Sequence, residues 1–272
     1  MDIKAETLQG LINEMYQSKL SVRTIELVRI ILHSAFKQAL KNKLVYENVV
    51  ENTVLPKKQR KEIRVMTTEE QELLSKELIS SYIGRGHLFG LYTGLRRGEL
   101  LSLKWSDFDE EGQVIHVNKS LNRVKSYDEE GGKTKLVVTS PKTEKSVRVV
   151  PLIEKAYDLL VMHKRIQEEY RKKLGDVYAD NNLIFSSNLG TYIDPGNFNR
   201  KLTEIAKKAE IPHLTPHVLR HSFATRGLEA NVSLKAMQEI LGHSSITVTG
   251  DIYTHVMLEQ KRKEMNKLND VF

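Results

Sequence analysis

The stretch TPHVLRHSFATRG, Thr215–Gly227, decides how the rest of the chain is read. It places His217, Arg220 and His221 within five residues, ahead of small residues that read as helix interior. His217 and Arg220 stand at i and i+3, so a helix carries them on one face. Either they are exposed polar residues, or they converge on something negatively charged.

The rest of the chain suits a polyanionic partner. It has 272 residues, enough for two domains, with ordinary hydrophobic (40%) and charged (28%) fractions for a globular protein. No apolar run approaches the roughly 18 residues of a membrane span, and MDIKAETLQG lacks a signal-peptide core. The absence of cysteine excludes disulfides, thiolate zinc sites and a cysteine nucleophile, and suits a cytoplasmic protein. Net charge is +7. Residues 1–64 hold twelve Lys/Arg and seven Asp/Glu, so +5 of that total sits in less than a quarter of the chain. The densest run is PKKQRKEIR, Pro56–Arg64. It reads either as a solvated linker or as one that tracks a phosphate backbone with Lys57, Lys58, Arg60, Lys61 and Arg64.

Helical periodicity covers 6–18 and 21–43, the second with Ser21 as N-cap and a stripe of Val22, Ile25, Val28, Ile31 or Leu32, Ala35 and Ala39. It fades before the basic run, which marks a domain boundary. MTTEEQELLSKEL restarts it, with Thr67 or Thr68 as cap and Glu70 or Gln71 as capping-box partner. A glycine break at Gly94 separates two further helices, the second starting near Arg97. Strands are expected at 113–124, 135–140 and 146–150, with turns at YDEEGGK and PKTEK, and helices at 152–172, 195–209, 217–229, 233–240 and near 253–268. The expected class is mainly α with a small antiparallel β-sheet (α+β). The domains would be 1–55, a helical unit expected to be N-terminally incomplete; 56–65, the basic linker; and 66–272.

Four clusters could carry chemistry: Arg96 and Glu99 in TGLRRGEL, Lys142 in SPKTEKSVRVVPL, His217 with Arg220, and His243 with Tyr253 in ILGHSSITVTGDIYTHV. Each has a plain alternative. Arg96 and Glu99 could form a surface pair worth a few tenths of a kcal/mol. Lys142 could be solvated, and Tyr253 could be core. His217 and His221 have metal-pair spacing, but a guanidinium between them repels a cation, and no metal site is expected. Together the clusters supply arginine, histidine and lysine donors for one phosphate, and a phenol nucleophile. That set suits phosphoryl transfer in which fixed cations offset the charge of the non-bridging oxygens.

In this order, the motifs TGLRRGELLSLKWSD, PKTEKSVRVVPL, TPHVLRHSFATRGLEANVSLKAMQEILGHSS and IYTHV resemble the tyrosine recombinase (phage integrase) family, most like integrases of Gram-positive phages and conjugative transposons. The resemblance covers about Leu20 to Val256. It implies a two-domain DNA clamp: a core-binding domain (1–55) and a catalytic domain (66–272). Tyr253 would attack a scissile phosphate and form a covalent 3′-phosphotyrosine. Arg96 and Arg220 would hold its oxygens. Lys142 would protonate the leaving 5′-oxygen, His217 would accept a proton or donate to the phosphate, His243 would donate, and Glu99 would brace the pocket. The implied partners are double-stranded attachment or transposon-end sites, a homotetramer on DNA, and an excisionase or DNA-bending protein, in the bacterial cytoplasm at the nucleoid. No cofactor or membrane is implied. The tail MLEQKRKEMNKL is amphipathic enough to dock on a neighbouring subunit.

Two departures stand out. Gly250 and Asp251 precede Tyr253 where a good helix former is expected, and residues 119–137 lengthen the strand region with Lys119, Arg123, Lys125, Lys133 and Lys135. No counterpart of an arm-binding domain is seen. The competing readings are a DNA-binding regulator without turnover and a type IB topoisomerase.

Overall fold

The computed structural model describes residues 3–58, 64–126, 133–140, 147–242 and 265–270. The chain divides into two units, 1–62 and 63–272.

In the first unit, α1 (Ala5–Gln17) and α2 (Val22–Lys41) pack against each other and against a short turn of helix at Val49–Asn52. Ser21 caps α2 as expected, its side chain accepting from the Thr24 N–H. Leu8, Ile12, Ile25 and Val50 make the small buried core. The segment after the turn is tied back by the Gln9 side chain, which accepts from Val54 N (2.8 Å) and donates to Val54 O (3.2 Å). The stripe expected on α2 is only partly inward: Ile25 is fully buried, whereas Ile31 is 67% exposed.

The second unit is built around α4 (Gly84–Thr93), which is buried along nearly its whole length. Small residues Gly84, Gly86 and Gly90 let other elements close on it. A Cβ on Gly90 would sit 2.8 Å from Leu100 Cδ1. Around it pack α3 (Thr68–Ser80), α5 (Arg97–Ser102), α6 (Glu154–Leu174), α7 (Pro195–Lys208) and α8 (Pro216–Glu229), and α8 holds α9 (Leu234–Leu241). Thr67 and Glu70 form the expected capping box of α3.

The strands depart from the expected single run at 113–124. β1 (Phe108–Asp109), β2 (Val114–Val117) and β5 (Arg148–Pro151) make one antiparallel sheet in the order β1-β2-β5, whereas β3 (Ser120–Lys125) and β4 (Thr134–Thr139) form a separate hairpin. The run breaks because its halves face different apolar clusters. Ile115 and Val117 enter the main core, while Leu121 packs with Leu101, Ile193 and Phe198. The YDEEGGK turn falls largely, and the PKTEK turn wholly, outside the described residues. The same holds for 253–264 of the last expected helix, and Lys267–Asp270 form a single 3-10 turn.

Two histidines in this core are buried and neutral. His87 bonds Phe198 O at 2.9 Å and stacks on the Phe198 ring, and His163 bonds Ile184 O at 2.9 Å. Burial pushes His87 down to about 3 and His163 down to about 4, against the lesser upward pull of each carbonyl. Protonation therefore favours the unfolded chain below its ordinary histidine pKa of about 6.5. Urea titrations should show stability falling by about 1.4 kcal/mol per pH unit for each histidine as pH drops from about 6.5 toward about 4. His163→Gln should flatten that slope by one histidine's share.

Candidate active site

The site forms where α4 ends. Gly94 takes a left-handed conformation (φ 65°), and a Cβ there would lie 2.5 Å from Phe223 Cδ1 and 2.7 Å from Leu241 Cδ2. Only glycine fits without moving both neighbours. The turn sets Arg96 at the N-cap of α5, where the Glu99 carboxylate accepts from the Arg96 backbone N–H (2.8 Å) and from Arg96 Nη1 (2.9 Å). The surface-pair alternative is thus half right: the pair exists, but Glu99 is buried, 6% exposed.

Arg220 reaches the same place from α8. It is buried, donating Nη1 to Gly94 O (2.6 Å) and Nη2 to Leu241 O (2.7 Å). Arg96 Nη2 donates to the next carbonyl, Gly242 O, at 2.7 Å. A third arginine completes the pattern. Arg148 on β5 gives Nε to Ile240 O (2.6 Å) and both Nη groups to Glu99 (3.1 and 2.9 Å). Three successive carbonyls at the end of α9, Ile240, Leu241 and Gly242, thus each take one guanidinium. Those carbonyls have no partner within the helix and carry the negative end of its dipole, which suits cationic donors.

Charge is concentrated here, with three guanidinium groups around one carboxylate. Burial, then Arg96, lowers Arg220 to about 9, still protonated at neutral pH; Glu99 opposes the shift. Burial pushes the Glu99 carboxyl up, but the hydrogen bonds and charges of Arg148 and then Arg96 outweigh it and hold the group below the usual range. His217, on the open side of α8, is lowered by partial burial and then by Arg220, Arg97 and Arg96. Its imidazole is therefore neutral at pH 7 and able to take a proton. His221 is lowered by burial, then His217 and Arg220, and its ring lies 6.5 Å from that of His217. Among the described residues no group of three His, Asp or Glu side chains could hold a metal ion.

Of the residues singled out in the sequence, Arg96, Glu99 and Arg220 are drawn to one point, and His217 lies within reach of the same charges. Lys142, His243 and Tyr253, with Gly250 and Asp251, lie outside the described residues, as do Arg60 and Lys61. Lys57 and Lys58 are exposed. Arg64 is not a solvated linker residue: Nη2 pairs with Glu70 at 2.7 Å. Within 119–137, Lys119 pairs with buried Asp107 (2.8 Å) and Arg123 with Asp194 (2.6 Å), so at least these two basic residues have acidic partners within the chain. Arg148 was not singled out. In the structure it lies two residues from buried Val150 on β5, so it shares the strand's inward face and takes an acidic partner there.

The chain matches the phage integrase family over residues 64–260. It is 34% identical over 280 residues to a XerC-like tyrosine recombinase of Caldanaerobacter subterraneus, covering 99% of this chain and 72% of that protein. It is 27% identical to the transposase of transposon Tn916 from Enterococcus faecalis over 94% of this chain, and spans 64% of that relative's length. The solved Tn1549 transposon integrase, residues 82–397 with circular intermediate DNA, superposes with a TM-score of 0.79 at 26% identity, covering 98% of this chain and 86% of that one. The family match over residues 64–260, most of the chain, establishes that this protein belongs to the phage integrase family of site-specific tyrosine recombinases.

Proposed function

We propose that the chain cleaves and rejoins duplex DNA through Tyr253, integrating and excising a mobile element. The phenol oxygen of Tyr253 attacks the scissile phosphorus, and the bond to the 5′-oxygen breaks as the tyrosyl ester to the 3′-phosphate forms. His217 takes the phenol proton, and Lys142 gives one to the leaving oxygen. The reverse attack by another 5′-hydroxyl rejoins the strand, so the phosphodiester energy is kept and no nucleotide cofactor is consumed. Arg96 and Arg220, with His243, hold the non-bridging oxygens, and Glu99 keeps Arg96 in place.

One observation carries this reading: Arg96 and Arg220, far apart in sequence, donate to adjacent carbonyls at the end of α9, and His217 feels the charge of both. The first unit and the exposed Lys57 and Lys58 would close the clamp on the DNA backbone, mainly through phosphates. The active assembly would be a homotetramer on two sites, with an excisionase or DNA-bending protein setting direction.

A nicked duplex carrying the DNA that flanks the gene tests the proposal, because the nick lets the cleaved end diffuse away and traps the adduct. The wild-type chain should give a covalent adduct that Tyr253→Phe loses entirely, and EDTA should not reduce it. Wild-type protein that binds without an adduct would favour the regulator reading. Relaxation of plasmids lacking the site would favour the topoisomerase. An adduct persisting in Tyr253→Phe would remove Tyr253 as nucleophile.

A further inference from the structure

Arg148 ties together three segments that carry proposed site residues. Its two Nη groups hold both oxygens of Glu99, which holds Arg96 by backbone and side chain. Its Nε holds Ile240 O in the last turn of α9, three residues before His243. Its strand, β5, begins shortly after Lys142 in sequence. The fit is close: a Cβ on Gly242 would lie 2.9 Å from Arg148 Nη1.

The three arginines differ in what a phosphate could displace. Arg220 and Arg96 Nη2 hold neutral carbonyls. A phosphate brings a full opposite charge and an oxygen pair that a guanidinium grips with two parallel bonds, neither of which a neutral carbonyl offers, so a phosphate outcompetes those carbonyls. Both Nη groups of Arg148 already hold an ionised carboxylate, so a phosphate gains little there. When Arg96 and Arg220 turn to DNA, Leu241 O and Gly242 O are released, and Arg148 keeps its hold on Ile240 O.

We infer that Arg148 is a positioning residue for DNA cleavage: it leaves the phosphate untouched and fixes the end of α9 against the Glu99–Arg96 pair. This rests on the function proposed above. Lysine cannot replace it fully, because a single ammonium lacks the planar fork that reaches a carboxylate and a carbonyl together.

The test is the single-turnover cleavage rate of the nicked duplex, measured beside its dissociation constant, for Arg148→Lys, Arg148→Met, Glu99→Gln and the Arg148→Met/Glu99→Gln double variant. Each is assayed at a temperature where circular dichroism shows it folded. Arg148→Met should cleave about 100-fold more slowly, the scale of loss for a site misplaced by an ångström, with affinity within about threefold of wild type. Arg148→Lys should lose about tenfold in rate, and it decides the matter if the methionine variant does not fold. The double variant should be no more than about threefold slower than Arg148→Met, because the two residues act as one unit. Wild-type rates in the lysine variant, rate losses that multiply in the double variant, or affinity falling in step with rate would each overturn the inference. A wild-type chain with no Tyr253-dependent adduct would overturn the proposed function and this inference together. A wild-type adduct with normal cleavage by both Arg148 variants would overturn this inference alone.

Discussion

Arg220→Ala is expected to slow strand cleavage by about 10³-fold or more, the scale of losing a fixed donor or arginine that meets developing charge on a phosphate. Binding of the same duplex should change little. The proposed clamp would neutralise many phosphates, and losing one contact would lower the salt dependence of affinity by at most about one unit of slope. The structure adds a second consequence. Arg220 is buried and satisfies Gly94 O and Leu241 O, so alanine leaves two carbonyls without partners, at about 1–3 kcal/mol each. Cleavage must therefore be compared below the variant's melting point, with Arg220→Lys as the milder control. A variant that binds, melts at lower temperature and still cleaves at the wild-type rate would take Arg220 out of the chemistry.

Glu99→Ala should be the most destabilising single change in the site. One buried carboxylate serves Arg148 twice and Arg96 twice, and removing it leaves guanidinium groups facing one another without an anion. Breaking a buried ion pair from one side costs about 3–5 kcal/mol. For a unit of this size that corresponds to a fall of about 10 °C in melting temperature. The acid dependence has a definite sign. Because the folded-state pKa of Glu99 is depressed, its stabilisation is fully present above the unfolded value of about 4.3 and is lost as pH falls through the lower folded value. That component should vanish in Glu99→Ala, while the slope from His87 and His163, which begins near pH 6.5, should remain. A melting temperature within 2 °C of wild type, on the scale of roughly 2–4 °C per kcal/mol, would mean the arginines find other partners.

Helices were legible because their signals are local. Ser21 and Thr67 announce caps, and Gly94 announces the break between α4 and α5. The division of 113–124 was not legible. Val117 and Leu121 have the same parity, and the Asn118 and Ser120 between them are weak turn signals without a Gly or Pro; tertiary packing sends one to the main core and the other to the cluster with Phe198. Arg96, Glu99, His217 and Arg220 could be picked out from motif spacing, but their partners could not. Spacing along a chain does not say that Leu241 O and Gly242 O lie under the two arginines. Arg148 escaped for a related reason: in SVRVVP the three valines look equally apolar, yet Val150 is buried while Val147 and Val149 are half exposed. The parity that turns Arg148 inward is set by pairing with β2.

The mounting of the β3–β4 hairpin has a mechanical consequence. Asp194 uses Oδ1 to cap α7 and Oδ2 to grip Arg123, so one carboxylate fastens the ribbon to the start of that helix. At the base of the ribbon, Ser102 Oγ donates to Lys119 O, and Ser120 sits so close to α5 that a Cβ on Gly98 would meet its hydroxyl at 2.3 Å. The ribbon is thus held at two helices. A load on β3 would arrive at the opening turn of α7 and at α5, the short helix on which Glu99 rides.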